Sequence, residues 1–167
     1  MERETIQTTK QIHPKVLAVC ISESKGMVKT PVPEIRLKTG YGIIGDAHAG
    51  IGQKQVSLLA NESVQELRND IPSIKVGDFA ENILTEGIIL YQLPIGTKLR
   101  IGEALLEVRQ VGKECHNGAC AIKQQVGDCC MPREGIFTTV LKNGVIKAGD
   151  DIEVDLCGME LDTEVAW

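Results

Sequence analysis

Aromatic side chains are scarce in this chain of 167 residues: one Trp, two Tyr and two Phe. Positive charge is also in deficit, with 18 Lys and Arg against 23 Asp and Glu and a net charge of -5. A nucleic-acid surface needs a basic face and stacking platforms, so this composition argues against one. No apolar run approaches the roughly 20 residues that span a bilayer, and the polar start Met1-Glu2-Arg3-Glu4-Thr5 lacks the apolar core of a signal peptide. The expectation is a cytoplasmic protein with no membrane or nucleic-acid partner. Internal repeats, linkers and low-complexity tracts are absent, as is any alternation of strand and helix patterns that would indicate a doubly wound sheet.

The chain has 43% hydrophobic and 25% charged residues, both near globular averages, and one domain is the expectation for its length. Residues 1–15 read as a loose N-terminal segment, 16–156 as the domain and 157–167 as a tail. Val16-Leu17-Ala18-Val19-Cys20-Ile21 is a β-branched apolar run suited to a buried strand, with Cys20 in the core. Pro31 and Pro33 predict an extended edge or loop, since proline offers no ladder donor. Gly40, Gly42, Gly45, Gly50 and Gly52 predict a loop system. Gln55-Val56-Ser57-Leu58-Leu59 reads as a strand leading to a short helix that Asn61 caps and whose apolar face carries Val64 and Leu67. Leu99–Ile101 and Leu105–Val108 flank a turn at Gly102-Glu103. A second hairpin is expected where Thr138–Leu141 and Val145–Ile146 flank Asn143-Gly144, and Ile152–Leu156 alternates as a last strand. The fold class expected is mainly β, a closed or nearly closed barrel with a few short helices.

Four of the six cysteines fall between Cys115 and Cys130, in Val111-Gly112-Lys113-Glu114-Cys115-His116-Asn117-Gly118-Ala119-Cys120 and Cys129-Cys130-Met131-Pro132-Arg133. In a reducing cytosol such thiols are chemical or metal-binding more often than disulfide-bonded. Lys113, His116, Lys123 and Arg133 can stabilise a thiolate, the form that acts as nucleophile or soft ligand. Cys115, His116, Cys120 and Cys129 or Cys130 also offer a tetrahedral N/S set, although an adjacent cysteine pair fits zinc spacing poorly. Two further constellations are Gly45-Asp46-Ala47-His48, where His48 can donate to an anion or shuttle a proton, and Gly77-Asp78-Phe79-Ala80-Glu81-Asn82, where Glu81 and Asn82 can hold a loop or a ligand. Each has a plainer account as a polar turn.

In this order, with Gly135-Ile136-Phe137 and Ile146-Lys147-Ala148-Gly149-Asp150 added, the segments resemble the MOSC domain, named for the C-terminal domain of molybdenum cofactor sulfurase. The likeness is to small free-standing bacterial members, with no pyridoxal-phosphate desulfurase domain ahead of it. The resemblance implies molybdenum cofactor (molybdopterin) as ligand and a cysteine that carries persulfide sulfur or ligates molybdenum. By position Cys115 matches that cysteine, as catalytic thiol and metal ligand, with Cys120 a close second. His48, Lys113, Arg133, Glu81 and Asn82 are the expected cofactor-binding groups. A sulfur carrier or transferase is one reading, with a separate cysteine desulfurase or molybdoenzyme as partner. A cofactor- or metal-binding module without turnover is the other.

Overall fold

The computed structural model describes residues 13–25, 27–50, 52–112 and 134–155. Among them are eleven strands and one complete α-helix. β1 is Lys15–Ile21, β2 Thr30–Val32, β3 Glu34–Lys38, β4 Gly42–Ile43 and β5 Val56–Ala60. After helix α1 (Asn61–Asp70) come β6 (Ile83–Glu86), a 3-10 turn at Leu90–Gln92, β7 (Lys98–Ile101) and β8 (Ala104–Val111). β9 (Ile136–Lys142), β10 (Gly144–Lys147) and β11 (Ile152–Asp155) complete the set.

Eight strands form one sheet in the order β11-β7-β8-β9-β5-β6-β1-β2, and β10-β3-β4 form a second. The mainly β expectation holds, but neither sheet closes into a barrel. The large sheet ends at two short strands, β11 and β2, and Pro31 within β2 denies that edge one ladder donor. One isolated bridge, Lys15 to Asp151, and the bonds from Val16 N to Asp150 O, Gly149 N to Val16 O and Ile152 N to Pro14 O link the start of β1 to the start of β11 without forming a ladder.

The main core fills the space between the sheets. Alternation along β3 turns Ile35 and Leu37 inward, while Leu58, Leu99, Ile101, Leu106 and Ile136 meet them from the large sheet and Ile146 from β10. β5 is buried at every residue, as befits a central strand with both faces covered. Its Val56, Leu58 and Ala60 enter the main core, whereas Leu59 faces a second cluster with Val64, Phe79, Leu84 and Phe137 beneath α1.

Three local expectations need correction. β5 and β6 are parallel and α1 crosses between them, so one βαβ unit exists where sequence alternation predicted none. β5 is buried at every residue and β6 at three of its four, so neither shows an alternation that would reveal the crossover. The α1 N-cap is Ala60, with no side-chain cap bond, so Asn61 is the first helical residue instead of the cap. β9 and β10 do not form a hairpin: β9 pairs with β8 and β5, while β10 crosses to the other sheet and pairs with β3. Asn143 makes the crossing, its Oδ1 accepting from Thr39 N and Oγ1, each at 2.7 Å.

Gly144 is required there for space. A Cβ would stand 2.5 Å from Ala104 N and 2.5 Å from Glu103 C, inside backbone that has no room to yield. A Cβ on Gly40 meets nothing within 4 Å and only the positive φ of 69° opposes it. Gly144→Ala should therefore cost about 3 kcal/mol and Gly40→Ala about 1 kcal/mol in urea unfolding. Equal losses would contradict the crossing described.

Candidate functional site

Ser22 follows β1, Lys29 precedes β2, and Asp46 lies in the glycine-bounded turn after β4. The three meet inside the protein. Both the Lys29 and the Asp46 side chains are fully buried, with Nζ 2.7 Å from Asp46 Oδ1. Nζ also reaches Ser22 Oγ at 3.1 Å and His48 Nδ1 at 3.1 Å. Asp46 further accepts from Ser22 N at 3.0 Å and from His48 N at 3.1 Å. Burial alone would push the Asp46 carboxyl up, but the Lys29 bond and charge, with the two backbone donors, hold it below the usual carboxylate range.

The second constellation sits directly beneath this pair. Lys29 N donates to Gly77 O at 2.8 Å, and a Cβ on Gly77 would lie 2.0 Å from Lys29 O. With φ at +91° as well, only glycine fits this position. Gly77 N in turn donates to Glu81 Oε2 at 2.7 Å, and Phe79 N to Glu81 Oε1 at 3.2 Å. Asn82 ties two strands together, its Oδ1 accepting from Ser57 N at 3.0 Å and its Nδ2 donating to Cys20 O at 3.0 Å. Glu81 and Asn82 are each 1% exposed. Their polar groups hold backbone, and neither lines the cavity described next. Cys20 is core, as expected; burial first, and then the Glu81 charge, push its thiol up to about 12.

His48, about a third exposed, stands at the mouth of a cavity of about 380 Å³. The walls come from Lys25, Gly50, Gly52, Gln53, Lys54, Gln55 and Gln110. Among the described residues they include two ammonium groups, three amides and no carboxylate; Gln55 Nε2 donates to Gly52 O at 3.1 Å and Gln110 Nε2 to Gly112 O at 2.7 Å, and each amide keeps a second N–H for an anion. Gln110 reaches the cavity at a β-bulge: Val108 pairs with Thr138 and Gln110 with Phe137, leaving Arg109 as the extra residue.

His48, Glu81 and Asn82 thus belong to one connected network, His48 through Lys29 and Gly77 to Glu81, and through Asp46 and β1 to Asn82. Cys115, Cys120, Lys113, His116, Arg133 and the Cys129-Cys130 pair lie outside the described residues. The chain leaves the description at Gly112 and re-enters it at Glu134, and Gly112 N donates to Gly135 O at 2.7 Å. Sequence reasoning missed Lys29, Ser22, Lys25 and Lys54. Nothing in Met27-Val28-Lys29-Thr30-Pro31 separates a buried lysine from a surface one. Among the described residues no group of three or more His, Cys, Asp or Glu side chains is placed to hold a metal ion, and no helix is long and apolar enough to cross a membrane.

A family model described as MOSC domain matches residues 45–153. No curated protein matches the chain significantly. Among solved structures, the YuaD protein from Bacillus subtilis superposes with a TM-score of 0.71 at 20% identity, covering 86% of this chain and 96% of its own. YiiM from Geobacillus stearothermophilus gives 0.68 at 20% identity, covering 88% and 77%. YiiM from Escherichia coli gives 0.61 at 19%, covering 84% and 69%. At these identities the likeness is one of fold.

Lys29→Met should lower stability by about 3–5 kcal/mol, because the Asp46 carboxylate is left buried without its partner. Adding Asp46→Asn should recover part of that loss, and a double-mutant cycle in urea measures it; strictly additive losses would contradict the pairing. Burial pushes Glu81 up to about 7 from 4.5, against the pull of its backbone donors. The folded state therefore binds more protons than the unfolded one between those values, so stability falls as pH rises from 4.5 to about 7 and then levels. The drop should be at most about 3 kcal/mol. Glu81→Gln should flatten this stretch of the pH profile; an unchanged slope would assign it to another group.

Proposed function

The chain belongs to the MOSC domain family, and on that premise we propose that it is a sulfur carrier or transferase of molybdenum cofactor metabolism, with Cys115 as its working thiolate. The observation that carries this reading is the donor-lined cavity beside the end of β8. Among the described residues, His48, Lys25, Lys54 and the glutamine amides meet there with no carboxylate in the wall. An anionic pterin phosphate is a ligand such a wall accepts, and it fits better than a cation would. Gln110 is part of that wall, and Cys115 follows Gly112 by three residues, a reach of at most about 11 Å along the chain.

In this reading His48, Lys25 and Lys54 hold the phosphate end, joined by Lys113 and Arg133 from the cysteine segment. Lys113 and Arg133 also favour the Cys115 thiolate over the thiol. Glu81 and Asn82 act one step back, keeping the turn under Lys29 in place. When bound, the cofactor supplies a metal-pterin centre that a thiolate can ligate. The chain's own chemistry is an exchange at sulfur. The Cys115 thiolate attacks the terminal sulfur of a persulfide on a donor protein such as a cysteine desulfurase, the donor S–S bond breaks, a new S–S bond forms on Cys115, and the donor thiolate leaves. Cys120 is the accessory thiol that can resolve the product. The cytoplasm is the compartment in which these thiols stay reduced.

Incubation with a persulfide donor followed by intact-mass measurement tests this. The wild-type chain should gain the mass of one sulfur atom, lost again on reduction, and Cys115→Ser should gain none while unfolding at the same urea concentration. His48→Ala should keep the sulfur but bind pterin phosphate about tenfold more weakly, as expected for loss of one charge-assisted hydrogen bond. Labelling that persists in Cys115→Ser and vanishes in Cys120→Ser would move the role to Cys120. Cofactor binding with no sulfur gained by any variant would favour a module without turnover.

A further inference from the structure

The Lys29 nitrogen is surrounded in a way that fixes more than its own position. A lysine ammonium carries three N–H bonds and no acceptor. Its three partners are Ser22 Oγ at 3.1 Å, Asp46 Oδ1 at 2.7 Å and His48 Nδ1 at 3.1 Å. Ser22 gives its own proton onward to Ser24 O at 3.1 Å, so its oxygen is turned to accept from Lys29. Asp46 Oδ1 can only accept. The third N–H is left for His48 Nδ1, which must meet it with a lone pair.

The nearest rival arrangement has a proton on Nδ1 directed at the Asp46 carboxylate. Oδ2 is 3.9 Å from Nδ1, beyond hydrogen-bond range, and it already accepts from His48 N at 3.1 Å. With Nδ1 accepting, a neutral imidazole has its proton on Nε2. We propose that Lys29 is a positioning residue that holds His48 as the Nε2–H tautomer, so that the histidine serves the cavity as a hydrogen-bond donor to an oxyanion and not as a proton-accepting base. Acting as a base would need the lone pair on Nε2, and the proton would then have to sit on Nδ1, where the ammonium already directs one of its own. This inference rests on the reading of the cavity as an anion site, but the tautomer it assigns is a property of the protein alone.

The full-length protein, labelled with 15N at histidine and lysine, allows a direct test at about pH 8, where an ordinary imidazole is neutral. His48→Gln identifies the His48 signals among the three histidines. The expected spectrum shows a protonated Nε2, an unprotonated Nδ1 and a scalar coupling from a Lys29 Nζ proton to Nδ1. The double variant Lys29→Met with Asp46→Asn removes both buried charges together, and its Nε2–H to Nδ1–H ratio should fall about tenfold or more. The wild-type spectrum decides even if that variant does not fold: a proton on Nδ1, or no coupling to Lys29, overturns the assignment. An unchanged ratio in a folded double variant overturns it too. Inorganic phosphate added to the wild type separates this from the functional reading. A shift of the Nε2–H signal supports the anion site, whereas no shift counts against that site alone and leaves the tautomer result to judge Lys29.

Discussion

Water does not reach the ammonium of Lys29, and the arrangement of this half of the molecule follows from that. A buried cation must be matched by a charge and must have each of its protons accepted. Asp46 supplies the charge, and Ser22 and His48 complete the acceptors. Ser22 comes from the end of β1, and Asp46 and His48 share the turn after β4, so the requirement fixes the end of β1, the approach to β2 and that turn relative to one another. The backbone of Lys29 extends the constraint downward to Gly77, and Gly77 passes it to Glu81. Gly-Asp-x-His and Gly-Asp-x-x-Glu-Asn, far apart in sequence, are thus two faces of one support.

A pair of this kind is costly to desolvate, and an apolar pair of similar volume can be equally stable. What the charged pair adds is direction. An apolar side chain in place of Lys29 would fill the space without telling His48 which nitrogen should carry the proton. The aliphatic half of the same design is conventional: β5 is buried on both faces, and the two sheets enclose one continuous core that leaves the end of β8 and the loops after β1 and β4 to form the cavity.

Elements whose residues alternate plainly were legible before the structure. β1, β7, β8 and β11 fall within a residue or a few of their expected spans, and Cys20 is core because its neighbours are β-branched and apolar. Asn143-Gly144 misled because two physical demands select the same residues. A primed turn wants positive φ, whereas here the glycine is needed for a close backbone approach and the asparagine for its carbonyl on Thr39. The βαβ unit hid because β5 is buried at every residue and β6 at three of its four, so neither alternates. His48 was legible from its glycine-bounded turn. Lys29 was not, since burial of a lysine depends on partners 7, 17 and 19 residues away.

The bond from Gly112 N to Gly135 O bears on how this family can change. It brings Gly112 and Gly135 together just beyond the last ladder pair of β8 and β9, Val111 with Ile136, so the two strands are tied to each other up to that point. Closing a connection between two such points costs little more when it is longer, about 0.6 kcal/mol for each doubling. A connection between these two points can therefore change in length at small thermodynamic expense to the sheets below. New thiol chemistry could be tried on this scaffold many times without the fold being renegotiated.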